Sequence, residues 1–134
     1  MRKGMLEALL LLVVLVFCAC GGTVSDAKTH TADSELYTQE EITDAIDAIK
    51  KEFQAEWSGC TLTEIYYAGD ETSQEYQDWA DRNGADEVIV LRSSFDVDFS
   101  GGDGSLNPNS TYANWLWILV RTDNGPWKHV DHGY

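Results

Sequence analysis

The chain has 134 residues, of which 23 are acidic and 9 are basic, and its formal net charge at pH 7 is −14. Such a charge repels nucleic-acid phosphates and anionic lipid headgroups, so a nucleic-acid partner is excluded. The length suffices for one hydrophobic core, and no internal repeat divides it.

The chain begins with two basic residues, a short apolar run and a small residue. The apolar stretch 8–19 ends at Ala19, directly before Cys20. This order is typical of a bacterial lipoprotein export signal, in which the cysteine after the cleavage point accepts a diacylglycerol. The stretch is shorter than the roughly 20 residues of a membrane-spanning helix. The alternative is a plain secretory signal, because Phe17 is an unusual residue three positions before Cys20.

This pattern predicts three segments. Residues 1–19 are a signal peptide, residues 20–34 are a lipidated cysteine with a flexible tether, and residues 35–134 are a single domain. Diacylglycerol and palmitate chains on Cys20 would anchor the protein on the extracytoplasmic face of the cell membrane. Cys60 is then the last cysteine in the mature chain, so no intramolecular disulfide is expected. We expect Cys60 to be buried, with a pKa raised by its acidic surroundings.

Two helices are predicted in the first half of the domain. Thr38 and the glutamate three residues later form a capping box, and apolar residues follow at helical spacing until Gly59. A second capping box, Thr72 with Glu75, opens a shorter helix that ends at Gly84.

Four strands are predicted from apolar runs and alternation, over residues 60–67, 87–99, 112–122 and 127–134. Phe99 is expected to face the core with the other apolar residues of its strand. The fold class is therefore α+β. We expect a long N-terminal helix packed on a twisted antiparallel sheet of about four strands, with a second short helix.

One loop has a pattern with possible metal chemistry. Asp96, Asp98 and Ser100 place oxygen ligands at alternate positions before Gly101, as at the start of a calcium loop. The twelfth position, however, holds Asn107 instead of the bidentate glutamate. We favour the simpler interpretation, in which both aspartates are the solvent side of a strand, and we predict no cofactor.

A second cluster of metal-ligand residue types lies near the end of the chain. His129, Asp131 and His132 are close in sequence. Alternate residues of a regular strand share a face, so residues 129 and 132 are expected on opposite faces, which argues against a shared metal site. No nucleophile motif accompanies them, and the sequence does not predict an enzyme.

Tryptophans supply the candidate binding residues. Trp115 and Trp117 share one face of their strand, and Trp127 can join them across the hairpin, as a row of aromatic rings that stacks on sugars. Burial against the long helix is the interpretation that we favour, because a small core must accommodate five tryptophans. The opposite face of the strand is also apolar, with Leu116, Ile118 and Val120. One of the two faces must therefore be covered by another element or exposed for binding.

Six short segments within residues 36–134 carry a resemblance to known proteins. They lie at positions 59–62, 84–87, 95–98, 101–111, 115–117 and 133–134. Together they resemble small uncharacterised lipoproteins of Gram-positive anaerobes. Similar segments form extracytoplasmic tails of membrane metallopeptidases of the antibiotic-sensor type. The order of helix and sheet looks like the cone-shaped fold of nuclear-transport-factor-two-like and cystatin-like domains. The resemblance implies a fold and assigns no functional residue.

The sequence therefore predicts a membrane-anchored binding or interaction module. Its expected partners are the lipid bilayer, through the acyl anchor on Cys20, and a cell-wall or protein ligand. The alternative is a cell-surface enzyme that uses a concave sheet as its pocket.

Overall fold

The computed structural model describes residues 21–30 and 32–134. The predicted signal peptide and the lipidation of Cys20 lie outside these residues. The described part is an α+β domain with three helices and one antiparallel sheet of four strands in the order β1-β2-β3-β4. The elements are α1 (Gln39–Glu56), β1 (Cys60–Tyr67), α2 (Asp70–Glu75), α3 (Gln77–Arg82), β2 (Glu87–Val97), β3 (Ser110–Arg121) and β4 (Lys128–Gly133). No helix in the described ranges has the length and apolar character needed to cross a membrane.

Helix α1 begins at the predicted capping box. The Thr38 side chain accepts a hydrogen bond from the Glu41 backbone N–H (3.1 Å), and the Glu41 carboxylate accepts one from the Thr38 N–H (3.0 Å). These bonds satisfy donors that the first turn of a helix leaves free. The buried stripe of α1 packs on one face of the sheet and consists of Ile42, Ala45, Ile46, Ile49 and Phe53.

The second predicted helix is divided into α2 and α3, and its predicted cap is wrong. Helix α2 begins at Asp70, two residues before Thr72. Gly69 turns the chain with a φ of +106°, and its carbonyl already accepts a hydrogen bond from the Ser73 N–H (3.1 Å). The helical turn has therefore started before Thr72 could cap it. Helix α3 ends just before Gly84, as predicted, where the φ of +62° stops the helix.

The sheet is covered on both faces, which explains why both faces of β3 are apolar. Trp117 and Leu119 pack in the core beneath α1. The opposite face packs against Ala80 of α3 through Val88, Val90, Leu116, Ile118 and Val120. Continuous apolar runs in β2 and β3 therefore mark strands that are buried on both sides.

Residues 21–30 lie along the outer edge of β1, where the sequence predicts a flexible tether. The Thr23 N–H donates to the Cys60 carbonyl (2.9 Å), and the Lys28 N–H donates to the Thr63 carbonyl (3.0 Å). The pairing is parallel and uses backbone groups, so the side-chain pattern of this polar segment does not reveal it. The segment covers an edge that would otherwise present unpaired N–H and C=O groups.

The expectation that Phe99 faces the core is wrong. Strand β2 ends at Val97, and the Phe99 side chain is 82% exposed. The chain turns because the Asp98 side chain accepts a hydrogen bond from the Ser100 N–H (2.8 Å), and Gly101 follows with a φ of +71°. The alternation of buried and exposed residues stops where the strand stops.

Candidate functional site

A groove of about 470 Å³ opens between the end of α1, the loop 98–109 and strands β3 and β4. Its lining combines aromatic, apolar and acidic side chains, among them Glu56, Trp57, Asp103, Leu106, Trp115 and His132. The volume lies within the range of about 300–1,000 Å³ that is usual for ligand pockets. None of the described residues that line it is a lysine or an arginine. Its rim is therefore negatively charged and suits hydrogen-bond donors.

Two tryptophans meet in the wall of the groove. Trp57 stacks on Phe53 of α1, with ring centroids 5.5 Å apart and an interplanar angle of 9°, and meets Trp115 edge-on at 6.1 Å. The Trp115 Nε1 atom is buried and has no hydrogen-bond partner in the described part of the chain. A buried donor without an acceptor costs about 1–3 kcal/mol. Because this atom has almost no exposed surface, a ligand oxygen reaches it only after the neighbouring side chains move, and such a ligand would then remove that cost.

The three tryptophans named as candidate binding residues do not share an exposed face. Trp117 is fully buried, and its Nε1–H donates to Ser93 Oγ (2.7 Å). Trp127 is 9% exposed and lies at the other end of α1, where its Nε1–H donates to the Glu41 carbonyl (3.0 Å). Of the three, Trp115 alone lines the groove. Helix α1 covers the face that the sequence offered for stacking.

Trp57 is the wall residue that the sequence did not single out. It lies at the edge of the apolar stripe of α1 and follows the last residue of that helix. Its backbone N–H donates to the Phe53 carbonyl (3.0 Å), which fixes the side chain over the end of the sheet. In the sequence, the signal for Trp57 was its position as an aromatic residue between the end of a predicted helix and Gly59.

A β-bulge brings two histidines to one face, so the prediction that they lie on opposite faces is wrong. The register of β3 and β4 shifts at Leu119, where Val130 is the extra residue. As a result His132 Nδ1 and His129 Nε2 are 3.2 Å apart. His129 Nδ1 in turn lies 2.5 Å from Glu52 Oε2.

His132 connects this pair to the groove. Its ring centroid lies 5.2 Å from that of Trp57, 5.7 Å from that of Trp115 and 5.3 Å from that of Trp117. Desolvation, and then the neighbouring His129, lower the pKa of His132. The ring is therefore neutral at pH 7. In residues 21–30 and 32–134, no three His, Cys, Asp or Glu side chains are gathered as a metal ion requires.

The residues of the calcium-like pattern have partners within the protein. Asp96 is exposed on β2 and accepts a hydrogen bond from Thr111 Oγ1 (2.7 Å). Asp98 accepts hydrogen bonds from the side chain and backbone of Ser100, and these bonds lower the pKa of Asp98. Asp96 is thus hydrogen-bonded to β3, whereas Asp98 and Ser100 are hydrogen-bonded to each other within a turn.

Cys60 is 2% exposed, as expected, and lies at the inner end of the groove. Burial, followed by the charges of Asp98 and Asp103, raises the pKa of its thiol. A protonated, buried thiol is a poor nucleophile. Within the described residues, Cys60 forms no disulfide.

No protein-family model, curated protein or solved structure matches this chain. The fold and the site define an α+β domain with an acidic, aromatic groove at one end of its sheet. A fold alone does not specify a function, so the chemistry of the groove must indicate what the domain binds.

Proposed function

We propose that the protein is a lipid-anchored extracytoplasmic binding module whose ligand occupies the groove. The order of basic start, apolar run, Ala19 and Cys20 supports the anchor and the membrane location. We also propose that α1, packed on one face of the antiparallel sheet, belongs to a cone-shaped domain held near the membrane. The groove opens at the end of this helix, where Glu56 and the C-cap residue Trp57 line it.

The observation that carries the binding site is the unpaired Nε1–H of Trp115 in an aromatic wall. A sugar hydroxyl can accept this hydrogen bond, while the C–H faces of the ring pack on aromatic side chains. Other hydroxyl groups can donate to the exposed carboxylates of Glu56 and Asp103. Because the described lining has no cationic side chain, we propose a neutral or basic saccharide, such as a cell-wall fragment.

A second candidate, a cell-surface enzyme, is favoured by the chain of contacts from Glu52 through His129 to His132. A neutral imidazole beside a groove can act as a general base. The buried Cys60 thiol, with its raised pKa, is a poor nucleophile for such an enzyme. We therefore prefer binding. A titration with a saccharide ligand separates the two candidate functions.

Titration of the full-length protein with soluble oligosaccharides of N-acetylglucosamine, which are neutral, followed by tryptophan fluorescence, tests the groove. Trp115→Phe keeps an aromatic ring but removes the N–H, and we expect about tenfold weaker binding from the loss of one hydrogen bond. Trp79→Phe, on the opposite face of the sheet, is the matched control and should bind like the native protein. Equal affinity of Trp115→Phe and native protein contradicts this site, and oligosaccharide cleavage supports the enzyme.

The anchor is tested separately by Cys20→Ser. We expect this variant to remain uncut or to be released into the medium, because serine cannot accept the diacylglycerol. Cell fractionation and the mass of the isolated chain measure both properties. A processed Cys20→Ser chain that still partitions with membranes contradicts the lipoprotein assignment.

A further inference from the structure

The position of Gly21 determines where the proposed anchor leaves the domain. Gly21 packs so closely on the end of α1 that a Cβ atom would lie 1.6 Å from the Gln54 carbonyl oxygen. The next residue is also held, since the Gly22 N–H donates to the Phe53 carbonyl (3.2 Å). Cys20 directly precedes Gly21 in the sequence. Lipid chains on Cys20 would therefore start at this end of the domain.

The loop 98–109 lies at the same end. Asp98, at the start of this loop, lines one small cavity together with Gly21 and Gly59. Phe99 follows directly and is the most exposed large hydrophobic residue in the described ranges, at 82%. Leu36, which is 44% exposed, precedes α1 and so lies at the opposite end of that helix. The point where the proposed anchor would emerge thus lies at the end of the domain that carries Phe99.

The pairing of residues 21–30 with β1 restrains this geometry. The hydrogen bonds made by Thr23 and Lys28 hold the segment against the strand and remove the slack that a free tether would have. An acyl chain on Cys20 then brings one end of the domain to the lipid surface. A large apolar side chain at that end gains free energy when it enters the headgroup region.

We infer that Phe99 contacts the lipid surface beside the anchor, so that the domain stands with its groove end toward the membrane. This inference rests on the proposed lipidation of Cys20. The loop also contains Asp98 and Asp103, and their negative charges favour a zwitterionic over an anionic headgroup surface. The groove would then meet its ligand close to the membrane.

Nitroxide labels on the reconstituted full-length protein test this orientation. Phe99→Cys and Leu36→Cys each add one exposed thiol, and both variants carry the same label, so its own affinity for lipid is matched. The native chain is the labelling control, because Cys60 is buried and Cys20 is expected to be acylated. The protein is isolated from bacterial membranes and placed in phosphatidylcholine vesicles. Power saturation with oxygen and with a water-soluble nickel complex then measures whether each label is in lipid or in water.

We expect the label at position 99 to be protected from nickel and accessible to oxygen, and the label at position 36 to show the reverse. Equal nickel accessibility at both positions in an acylated chain overturns the inference and leaves the anchor intact. Spin–spin broadening at position 99 that persists after dilution with excess lipid assigns the surface to a second copy of this chain and also overturns it. A native chain whose mass shows no acyl groups overturns the anchor and the inference together.

Discussion

At each end of helix α1, a tryptophan lies beside ionisable side chains. The polar groups of these side chains have complete hydrogen-bond partners only where the helix begins. There Arg121, 8% exposed, pairs with Glu41 and Glu87. The Trp127 Nε1–H donates to the Glu41 carbonyl (3.0 Å), and the guanidinium of Arg121 lies 4.3 Å from the centre of the Trp127 ring. The hydroxyl of Tyr37 donates to the Val88 carbonyl (2.6 Å).

Where α1 ends, groups of the same kinds lack hydrogen-bond partners within the described protein. The Trp115 N–H has no acceptor in the described chain, and the buried Oε2 of Glu52 has no donor other than the His129 ring. A fold gains no stability from an unpaired buried group, whereas a ligand that pairs with it gains affinity. The first cluster therefore holds the helix to the sheet through bonds within the protein, whereas the second contains buried polar atoms that the proposed ligand would pair with.

The largest effect should come from Arg121→Met, which leaves two carboxylates without their partner and removes a ring contact. We expect a loss of about 3 kcal/mol, because the guanidinium is buried although the two carboxylates are partly exposed. Arg82→Met is the matched control, since Arg82 also pairs with a carboxylate and covers a tryptophan, but at an exposed site. Its cost should stay below about 1 kcal/mol. Urea unfolding measures both, and equal losses would remove the contrast.

Two tryptophans of β3 differ in whether their N–H has a partner within the described protein. Trp117→Phe leaves a cavity and takes the donor from Ser93 Oγ, so we expect about 2 kcal/mol of destabilisation. Trp115→Phe breaks no hydrogen bond within the described protein and should cost less than about 1 kcal/mol. Thermal unfolding of the two variants measures the difference. A larger loss in Trp115→Phe would show that its N–H has a structural role.

The pH dependence of stability reports on the groove end. The pKa of His132 is lowered in the folded protein, so the unfolded chain, with an ordinary value of 6.5, takes up a proton first as the pH falls. The stability contributed by neutral His132 is present above pH 6.5 and is lost as the pH falls toward the folded-state pKa. We expect the Tm to decrease between about pH 7 and pH 5, and to decrease less in His132→Asn. Parallel curves for the two proteins contradict this assignment.

The smallest effect is expected from divalent cations. Asp96 and Asp98 accept hydrogen bonds from different partners, so calcium should change the Tm slightly and about as much as magnesium does. Unfolding curves with calcium, magnesium or chelator measure this. A rise specific to calcium that disappears in Asp98→Ala would make the loop a calcium site.

Patterns of side chains predicted the elements that depend on local chemistry. The capping box at Thr38 and the apolar stripe located α1, and the buried runs located the strands. The register of the strands and the pairing at the sheet edge depend on distant partners, and the side-chain patterns did not predict them. The bulge at Val130 moved His129 onto the face of His132, and the pairing of residues 21–30 came from hydrogen bonds that any polar sequence can form.

The candidate site was predicted only in part, for the same reason. The sequence indicated Trp115 from its position in the strand. That Trp115 lines the groove while Trp117 is buried depends on how far α1 extends over the sheet. The unpaired state of its N–H depends on every neighbour in the fold. Asp103 and Leu106 reach the groove through a loop whose turns are set by hydrogen bonds such as that from the Ser105 N–H to Asp103 (2.9 Å).

The indole resonances of ¹⁵N-labelled protein test most directly whether a ligand in the groove pairs with the Trp115 N–H. The chain has five tryptophans, and single Trp→Phe variants assign their signals. On addition of the N-acetylglucosamine oligosaccharide, we expect the Trp115 indole proton to shift downfield and to exchange more slowly with water, while those of Trp117 and Trp127 remain in place. A Trp115 signal that stays unchanged at saturating oligosaccharide, or a shift confined to Trp127, would contradict the site.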